Sequence, residues 1–400
     1  MASHPGISSV RVTEWLKHIH VLADEIGARG STREGERRGT QYCAESLTRI
    51  GLLPRIDTFR SARSIYTPHL LASALMLASF VLYPMGGRLT AAIAAMLSAI
   101  ALLSDLMELS FRDNLLRRLV PKGTSQNAVA EQKPRAEHRA DLVLIGHVDS
   151  HRTPIIFSSA RWLAAYRLFT TAAFILFAAQ VLLYGLGAIS AWGWIWPATI
   201  PSAVGAVLLA AMCLQADSTP FSRGANDNAS GAGLVLALAH EFAERPLQHT
   251  RVWYALTGCE EVQHYGAIDF FHRYARQLVR PNTIAFEMLG CAGPSWLVRE
   301  GILIPFHADA EMVRLAQQVA SEHPQWKAHS TVVSGGNTEM ADALRVRIPA
   351  ITLSGWGPHG EAPWWHMVAD TVDKMDVEVL ERAFAFTTAY IRALDDRAAG

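Results

Sequence analysis

The chain has 400 residues, enough for two or three ordinary domains or for one large α/β domain that carries insertions. Its 36 basic and 36 acidic residues balance, so the charge predicts no nucleic-acid partner. Only 18% of the residues are charged, below the ~25% of an average soluble domain, and this deficit is concentrated in two stretches. The four cysteines lack metal-knuckle spacing, which favours free thiols in a reducing compartment.

The first elements of the chain alternate between helix and strand patterns. Val10–Ile26 and Gly39–Ile50 have the periodicity of amphipathic helices, and Pro54–Phe59 resembles a strand. Two apolar runs follow, Leu70–Tyr83 and Leu89–Leu103, joined by a connector rich in proline and glycine. We interpret residues 66–104 as a first transmembrane helical hairpin, although each run is short for a full crossing.

The second apolar insertion, residues 161–217, is the stronger transmembrane candidate. Leu168–Ile189 holds 22 residues, of which Gln180 is the most polar, and Ala198–Leu214 follows after a connector with three tryptophans. A helix needs about 20 apolar residues to cross a hydrocarbon core, and tryptophan suits the interface between membrane and water. The alternative is that both hairpins are buried helices of a large soluble fold or of an oligomer interface.

Basic residues lie at one side of both hairpins. The tips hold only Arg88, whereas nine basic residues flank the opposite ends: Arg60, Arg63, Arg112, Arg117, Arg118, Lys122, Arg161, Arg167 and Arg223. Because positive residues stay cytoplasmic, the rest of the chain is predicted to face the cytoplasm, at a bacterial inner membrane or an equivalent bilayer. The absence of a recognisable signal peptide agrees with this placement. Helices rich in alanine and glycine also allow packing of two copies, so a homodimer is a further expectation.

Outside the hairpins, residues 1–65, 105–160 and 218–400 are predicted to form one α/β domain. Four short apolar runs are predicted as buried strands: Asp141–Gly146, Arg251–Thr257, Asn282–Glu287 and Ala350–Leu353. Gln126–Glu131 is predicted as an edge strand, and Ser230–Ala243 and Val377–Leu394 as helices. Alternating elements of this kind predict a mostly parallel mixed sheet with helices on both faces.

Five side chains that commonly bind metals follow one another along this domain, each in a distinctive local setting. They are His147 in Gly-His-Val-Asp-Ser, Asp227 in Gly-Ala-Asn-Asp-Asn-Ala-Ser-Gly, Glu261 in Gly-Cys-Glu-Glu, Glu287 in Ala-Phe-Glu-Met-Leu-Gly, and His366 near the C-terminus. Two imidazoles and three carboxylates suit a pair of divalent metals if one carboxylate bridges them. Glu260 is then placed to act as general base on a metal-bound water. Each motif alone has an ordinary alternative, a helix cap for Asp227 and a solvated acidic pair for Glu260 and Glu261.

Residues near these candidates are expected to support them. Asp149, two positions after His147, is predicted to accept the second ring N–H of that histidine. His151 is predicted to be solvated rather than a ligand. Three tryptophans are predicted to line an apolar specificity pocket, with core packing as an equally good alternative: Trp356, Trp364 and Trp365.

Taken together, these motifs resemble the M28 family of metallopeptidases, which contains zinc-dependent aminopeptidases. The similarity extends to Ile26–Ser31 and Leu52–Arg55, so it covers nearly all of the chain outside the hairpins. The resemblance implies a zinc-peptidase/phosphorylase-like fold and two Zn2+ ions, for which other divalent metals could substitute. It implies that one ion is held by His147, Asp227 and Glu287. The other would be held by Asp227, Glu261 and His366, with Glu260 as base and Asp149 behind His147.

The sequence departs from the family pattern at two places. Glu287 stands where the family more often has aspartate, and its longer arm is still expected to bind metal. Gly335–Asp342 lies where many members carry a Ser-Asp-His pattern, which leaves Glu339 as a candidate substrate contact.

The resemblance makes a membrane-anchored two-zinc aminopeptidase the leading prediction, with a peptide as substrate. One alternative is a glutaminyl cyclase-like or other amide hydrolase activity on the same scaffold. The five-ligand set argues against a cyclase, because the resemblance implies that cyclases use a single zinc. The other alternative is a catalytically silent peptide-binding membrane receptor, and the retained ligands and base argue against it.

Overall fold

The structure is a computed structural model that describes residues 5–190 and 192–399. Two compact units are present. The sheet unit comprises the residues up to Ser61, Gly123–His151, and the residues from Phe221 onward. The helical unit comprises Ala62–Lys122 and Arg152–Pro220. The helical unit is therefore wider than the two predicted insertions, because it includes residues 105–122.

Strands and helices alternate along the described residues. The strands are β1 (Arg55–Ala62), β2 (Lys122–Gln132), β3 (Ala140–His147), β4 (Thr250–Thr257), β5 (Asn282–Glu287), β6 (Ser295–Glu300), β7 (Phe306–His307), β8 (His329–Val332) and β9 (Ala350–Ser354). The α-helices are α1 (Pro5–His20), α2 (Glu34–Arg49), α3 (Tyr66–Leu82), α4 (Gly87–Leu109), α5 (Leu115–Leu119), α6 (Ala160–Ser190), α7 (Ile195–Ala198), α8 (Ile200–Ser218), α9 (Gly231–Glu244), α10 (Tyr265–Tyr274), α11 (Ala310–Glu322), α12 (Met340–Arg345) and α13 (Val377–Ala398).

The strands form one mixed sheet with a parallel centre. Its order is β1-β2-β4-β3-β5-β9-β6-β7, and β8 pairs with β6. Strands β4, β3, β5 and β9 are parallel to one another, whereas β2 runs antiparallel to β4 and β6 antiparallel to β9. The predicted mixed α/β fold is confirmed.

One strand prediction is wrong in its position. Gln126–Glu131 lies within β2, which is flanked by β1 and β4 and is therefore not an edge strand. Its polar side chains are satisfied inside the protein, since Asn127 donates to the carbonyl of Gly266 and Ser125 donates to Glu36. Polar residues thus need not mark an edge when each has a buried partner.

Alternating side chains place a helical layer on each face of the sheet. Leu142 and Leu144 of β3 belong to one apolar cluster, with large side chains from α1, α2, α9, α11 and α13. Val143 and Ile145 belong to a second cluster, with residues from α10 and α12. Both faces of the central strands are therefore buried, as expected for a parallel sheet covered by crossover helices.

The helical unit contains four helices that are long and apolar enough to cross a membrane. The spans are Tyr66–Met85, Gly87–Leu109, Ala160–Ser190 and Ile200–Ser218. The first pair is longer than the apolar runs suggested, at 20 and 23 residues. Each of these two spans therefore has the length that a crossing requires.

The interior of the helical unit holds polar side chains as well as apolar ones. Gln180 is fully buried and donates to the hydroxyls of Ser79 and Ser98, at 2.8 and 3.1 Å. In contrast, Leu168 and Leu182 point outward with 74% and 70% of their surface exposed. Large apolar side chains are thus exposed on helices that are candidate membrane spans.

Candidate metal centre

The parallel strands bring three of the predicted ligands to one edge of the sheet. Strand β3 ends at His147, and β5 ends at Glu287. Strand β4 ends at Thr257, shortly before Glu260 and Glu261. Because β3 pairs in parallel with both β4 and β5, the carboxyl ends of all three strands lie together.

Asp227 reaches the same edge from a turn that precedes α9. Its backbone is non-helical, with φ −113° and ψ 90°, and α9 begins only at Gly231, whose backbone N–H donates to Oδ1 of Asn228 rather than to Asp227. The carboxylate of Asp370 accepts hydrogen bonds from the backbone N–H groups of Asn226 and Asp227, at 2.7 and 3.0 Å. Asp370 thereby fixes the turn that presents the Asp227 side chain.

Asp227 lies between the two predicted histidine ligands. Its Oδ1 is 3.5 Å from Nε2 of His147, and its Oδ2 is 3.3 Å from Nε2 of His366. On the first side, Oε2 of Glu287 is 3.4 Å from Nε2 of His147. On the second side, Oε2 of Glu261 is 3.3 Å from Nε2 of His366. The structure thus brings all five residues together in the grouping that the resemblance implied.

Asp149 contacts both His147 and the acidic pair. Nδ1 of His147 is 3.1 Å from the backbone carbonyl oxygen of Asp149 and 3.5 Å from its Oδ1, so the nearer acceptor is the carbonyl. The Asp149 carboxylate accepts from the backbone N–H groups of Glu260 and Glu261, at 3.1 and 3.2 Å. Asp149 therefore orients the histidine and the loop that carries the acids.

Burial and crowding perturb the acids of this cluster. Burial and the nearby carboxylate of Asp227 raise the pKa of Glu261 to about 8. Burial also raises the pKa of Glu287 well above its ordinary value, against the opposing effect of His147. Burial alone would lower the pKa of His366, but Glu261 and Asp227 raise it to about 10. A positive charge bound at this site would therefore be strongly stabilised by the carboxylates.

The side chains of this cluster could hold divalent metal. Asp227, Glu260, Glu261 and Glu287 are four acids whose ion-pair partners are imidazoles. His147, Asp227 and Glu287 have ligand atoms close enough to share one ion. Oε1 of Glu261 is buried and accepts no hydrogen bond from the described residues. Histidine nitrogens with carboxylate oxygens form a donor set that zinc commonly takes.

The prediction that His151 is solvated is wrong. The residue is 6% exposed, and its ring stacks on that of His366 with centroids 3.6 Å apart. Like His147, Asp227 and Glu287, the side chains of His151, Glu261 and His366 have ligand atoms close enough to share one ion. This contact could not be predicted from local patterns, because 215 positions separate the two residues along the chain.

The predicted substrate contacts lie in different settings. Trp365 is half-buried beside His366, with ring centroids 4.7 Å apart, and it also contacts the buried Trp356. Trp364 stacks instead under the ammonium group of Lys374. Glu339 is fully buried and accepts a hydrogen bond from Thr257, and burial raises its pKa to about 7. Their roles toward a substrate stay predictions.

Two supporting residues were missed in the sequence. Arg29 is fully buried and donates to backbone carbonyls of Val148 and Gly224, which flank the His147 and Asp227 segments. His264 is buried beside Glu260, with its Nε2 3.0 Å from Oε1 of Glu260. Burial would lower the pKa of His264, but neighbouring carboxylates raise it well above its ordinary value. Arg29 lies in the Ile26–Ser31 segment that resembles the family, but the sequence assigned no role to either residue.

A parallel-centred sheet with histidines and acids at its carboxyl edge is the arrangement of α/β metal-dependent hydrolases. Residues 212–391 match the model of peptidase family M28. This segment contains Asp227, Glu261, Glu287 and His366, whereas His147 lies before it. The resemblance inferred from the motifs is confirmed by this match.

Individual relatives agree with the family match. The chain is 24% identical to aminopeptidase YwaD of Bacillus subtilis over 178 residues, which is 44% of this chain and 38% of that protein. The alignment thus covers less than half of the relative. Among solved structures, a zinc aminopeptidase from Bacillus subtilis has a TM-score of 0.57 at 12% identity, covering 96% of this chain and 95% of that one. A glutaminyl cyclase from Tannerella forsythia has a TM-score of 0.56 at 13% identity, covering 95% and 98%.

Proposed function

We propose that the chain is a membrane-anchored two-zinc aminopeptidase that removes N-terminal residues from peptides. The observation that carries this proposal is the position of Asp227, whose two oxygens face His147 and His366 at 3.5 and 3.3 Å. A carboxylate with one oxygen toward each of two ligand groups suits a bridge between two ions. The match to peptidase family M28 and the similarity to YwaD support the same reaction class.

Different residues of the cluster would have different roles in amide hydrolysis. Zinc bound at such a site would lower the pKa of a water and polarise the substrate carbonyl. Glu260 holds one carboxylate oxygen toward His147, with Oε2 3.8 Å from Nε2 of that ring. From this position it would take the proton of the attacking water and deliver it to the leaving amine. Asp149 and Asp370 would keep the ligand-bearing loops in place.

The helical unit supports a membrane anchor. Among the described residues, four helices have the length and composition of membrane spans, and large apolar side chains such as Leu168 and Leu182 are exposed on them. Each insertion holds an even number of spans, so the chain would return to the same side of the bilayer after each one. The basic residues at the ends opposite the tips favour the cytoplasm for that side.

The orientation can be tested with single cysteines. A membrane-impermeant maleimide should label Arg88→Cys in intact cells, because the exposed Arg88 is the second residue of the second span and so lies at the tip of the first hairpin. Arg118→Cys, at an exposed residue beyond the second span, should be labelled only after lysis. Labelling of both sites, or of Arg118→Cys alone, in intact cells would contradict the proposed orientation.

The activity can be tested with aminoacyl-coumarin amides and detergent-purified protein. We expect hydrolysis that is lost on chelation and recovers as zinc is added, reaching a plateau near two equivalents. N-acetylated amides are the matched control and should not be cleaved. Glutaminyl peptides should be hydrolysed rather than cyclised; cyclisation with a plateau at one equivalent would favour the cyclase alternative.

A further inference from the structure

A buried chain of ion pairs leads away from Glu260 on the side opposite to His147. Nε2 of His264 is 3.0 Å from Oε1 of Glu260, and Nδ1 of His264 is 2.6 Å from Oδ2 of Asp342. Oδ1 of Asp342 is 3.3 Å from a guanidinium nitrogen of Arg345. His264 and Asp342 are 2% and 4% exposed, so water does not screen these contacts.

We propose that His264 and Asp342 are positioning residues that hold Glu260 as a base and prevent it from becoming a metal ligand. The inference rests on the proposed function, since it concerns the residue assigned as general base. Oε1 of Glu260 contacts the ring of His264, whereas Oε2 lies toward the ligand cluster, 3.8 Å from Nε2 of His147. Asp342 in turn fixes the ring of His264 through its other nitrogen.

Such a restraint is needed because Glu260 lies within reach of the metal ligands. His147, Glu260 and Glu261 themselves have ligand atoms close enough to share an ion. A free glutamate in this position would gain by coordinating a cation directly, and it would then no longer accept a proton from water. A partner on its far oxygen opposes that movement.

The backbone at His264 gives a second reason to assign a role to its side chain. The residue has φ 58° and ψ 31°, in the left-handed region that glycine adopts without strain. Keeping a histidine there has a conformational cost that a glycine would avoid. The contacts of the imidazole with Glu260 and Asp342 give a reason for a histidine rather than a glycine at this position.

The alternative is a structural ion pair that joins the start of α10 to α12. His264 directly precedes α10, and Asp342 lies within α12. Such a pair would affect folding and stability without acting on Glu260. Kinetics, metal content and the orientation of Glu260 must therefore be measured together.

The test compares His264→Ala, His264→Gln and Asp342→Asn with wild type. The matched control is His272→Ala, which removes an exposed histidine from α10. We expect kcat of His264→Ala to fall about 10–100-fold, the range for residues that support a metal site indirectly. KM should stay within about twofold and zinc content should be retained. His264→Gln, whose amide can donate to Oε1, should recover part of the loss.

A crystal structure of zinc-loaded His264→Ala gives a readout that does not depend on turnover. We expect the Glu260 carboxylate to rotate toward the cluster and to bind zinc at about 2.0–2.2 Å. An unmoved carboxylate would overturn the inference, as would a kcat equal to that of His272→Ala. If wild type hydrolyses no substrate, the proposed function fails, and the orientation of Glu260 still decides whether His264 positions it.

Discussion

The two ends of β3 use the same kinds of side chain in opposite ways. At the amino end, the buried Asp141 accepts from Arg251 at 2.6 and 3.0 Å and from the backbone N–H of Val279 at 2.6 Å. At the carboxyl end, His147 is surrounded by acids whose partners are imidazoles. One end obtains its positive charge from the chain, whereas the other would obtain it from bound cations.

The pKa values express this difference. Burial alone would raise the pKa of Asp141, but hydrogen bonds from Arg251 and Val279 hold it below its ordinary value. Burial and Asp227 instead raise the pKa of Glu261 to about 8. A buried acid with its own cation is a structural element, and a crowd of acids without one is typical of a functional site. Substitutions at the two ends should therefore have separate effects.

The largest effect is expected at Glu260, at the carboxyl end. Glu260→Gln keeps the size of the side chain but removes the proton acceptor, so kcat should fall about 10²–10⁴-fold. Zinc content should match that of wild type, because the residue is assigned as a base. Measuring kcat and bound zinc on the same preparation checks both points. Normal turnover, or a loss of activity explained by lost zinc, would contradict the assignment.

The second largest effect is expected at Glu287. Its substitution should stabilise the metal-free protein against unfolding but weaken the binding of zinc. Glu287→Gln replaces a carboxyl group whose pKa burial raises in the folded protein; above the unfolded pKa of about 4.3 that group lowers the stability, so the metal-free variant should be more resistant to unfolding. Zinc affinity should fall by more than about 100-fold, since supporting residues alone account for about 10–100-fold. Calorimetric zinc titration and thermal unfolding in chelator measure the two quantities. Unchanged affinity would remove Glu287 from the ligand set.

The smallest effect is expected at the amino end of β3. Asp141→Asn removes the buried one of the two carboxylates that pair with Arg251 and leaves only Glu131, and we expect a loss of about 2 kcal/mol in the free energy of unfolding. Zinc content and kcat should stay within about twofold of wild type, because the site lies at the other end of the strand. A large loss of zinc or of kcat would show that the two ends are coupled.

The pH dependence of this loss provides a control. Because the pKa of Asp141 is lower in the folded than in the unfolded protein, its stabilisation is present above the unfolded value of about 3.9. It disappears as the pH falls through the lower folded value. The difference in unfolding free energy between wild type and Asp141→Asn should therefore shrink below about pH 4. A constant difference would assign the loss to packing.

The sequence predicted which candidate ligands would cluster better than it predicted the residues that support them. His147 and Glu287 end buried strands, and parallel pairing is enough to bring such ends together. His264 and Asp342 are 78 positions apart and meet only through the packing of α10 and α12. The burial of His151 against His366 has the same cause. Local patterns identify strand ends, whereas these contacts depend on the tertiary fold.

The four candidate membrane spans among the described residues, and the strand β2, also show what the sequence alone does not predict. Length and composition were enough to find the four long helices, but not the buried bonds between Gln180, Ser79 and Ser98. The polar residues of β2 suggested an edge, because the sequence does not show that Asn127 has a partner at Gly266. Burial of a polar residue can be predicted only when its partner is known.

The most direct test of the central claim is to locate zinc by anomalous X-ray scattering in crystals of the zinc-loaded protein. We expect one zinc ion on each side of Asp227. One ion should lie beside His147 and Glu287, and the other beside Glu261 and His366. A single position, or none after zinc loading, would contradict a two-zinc site.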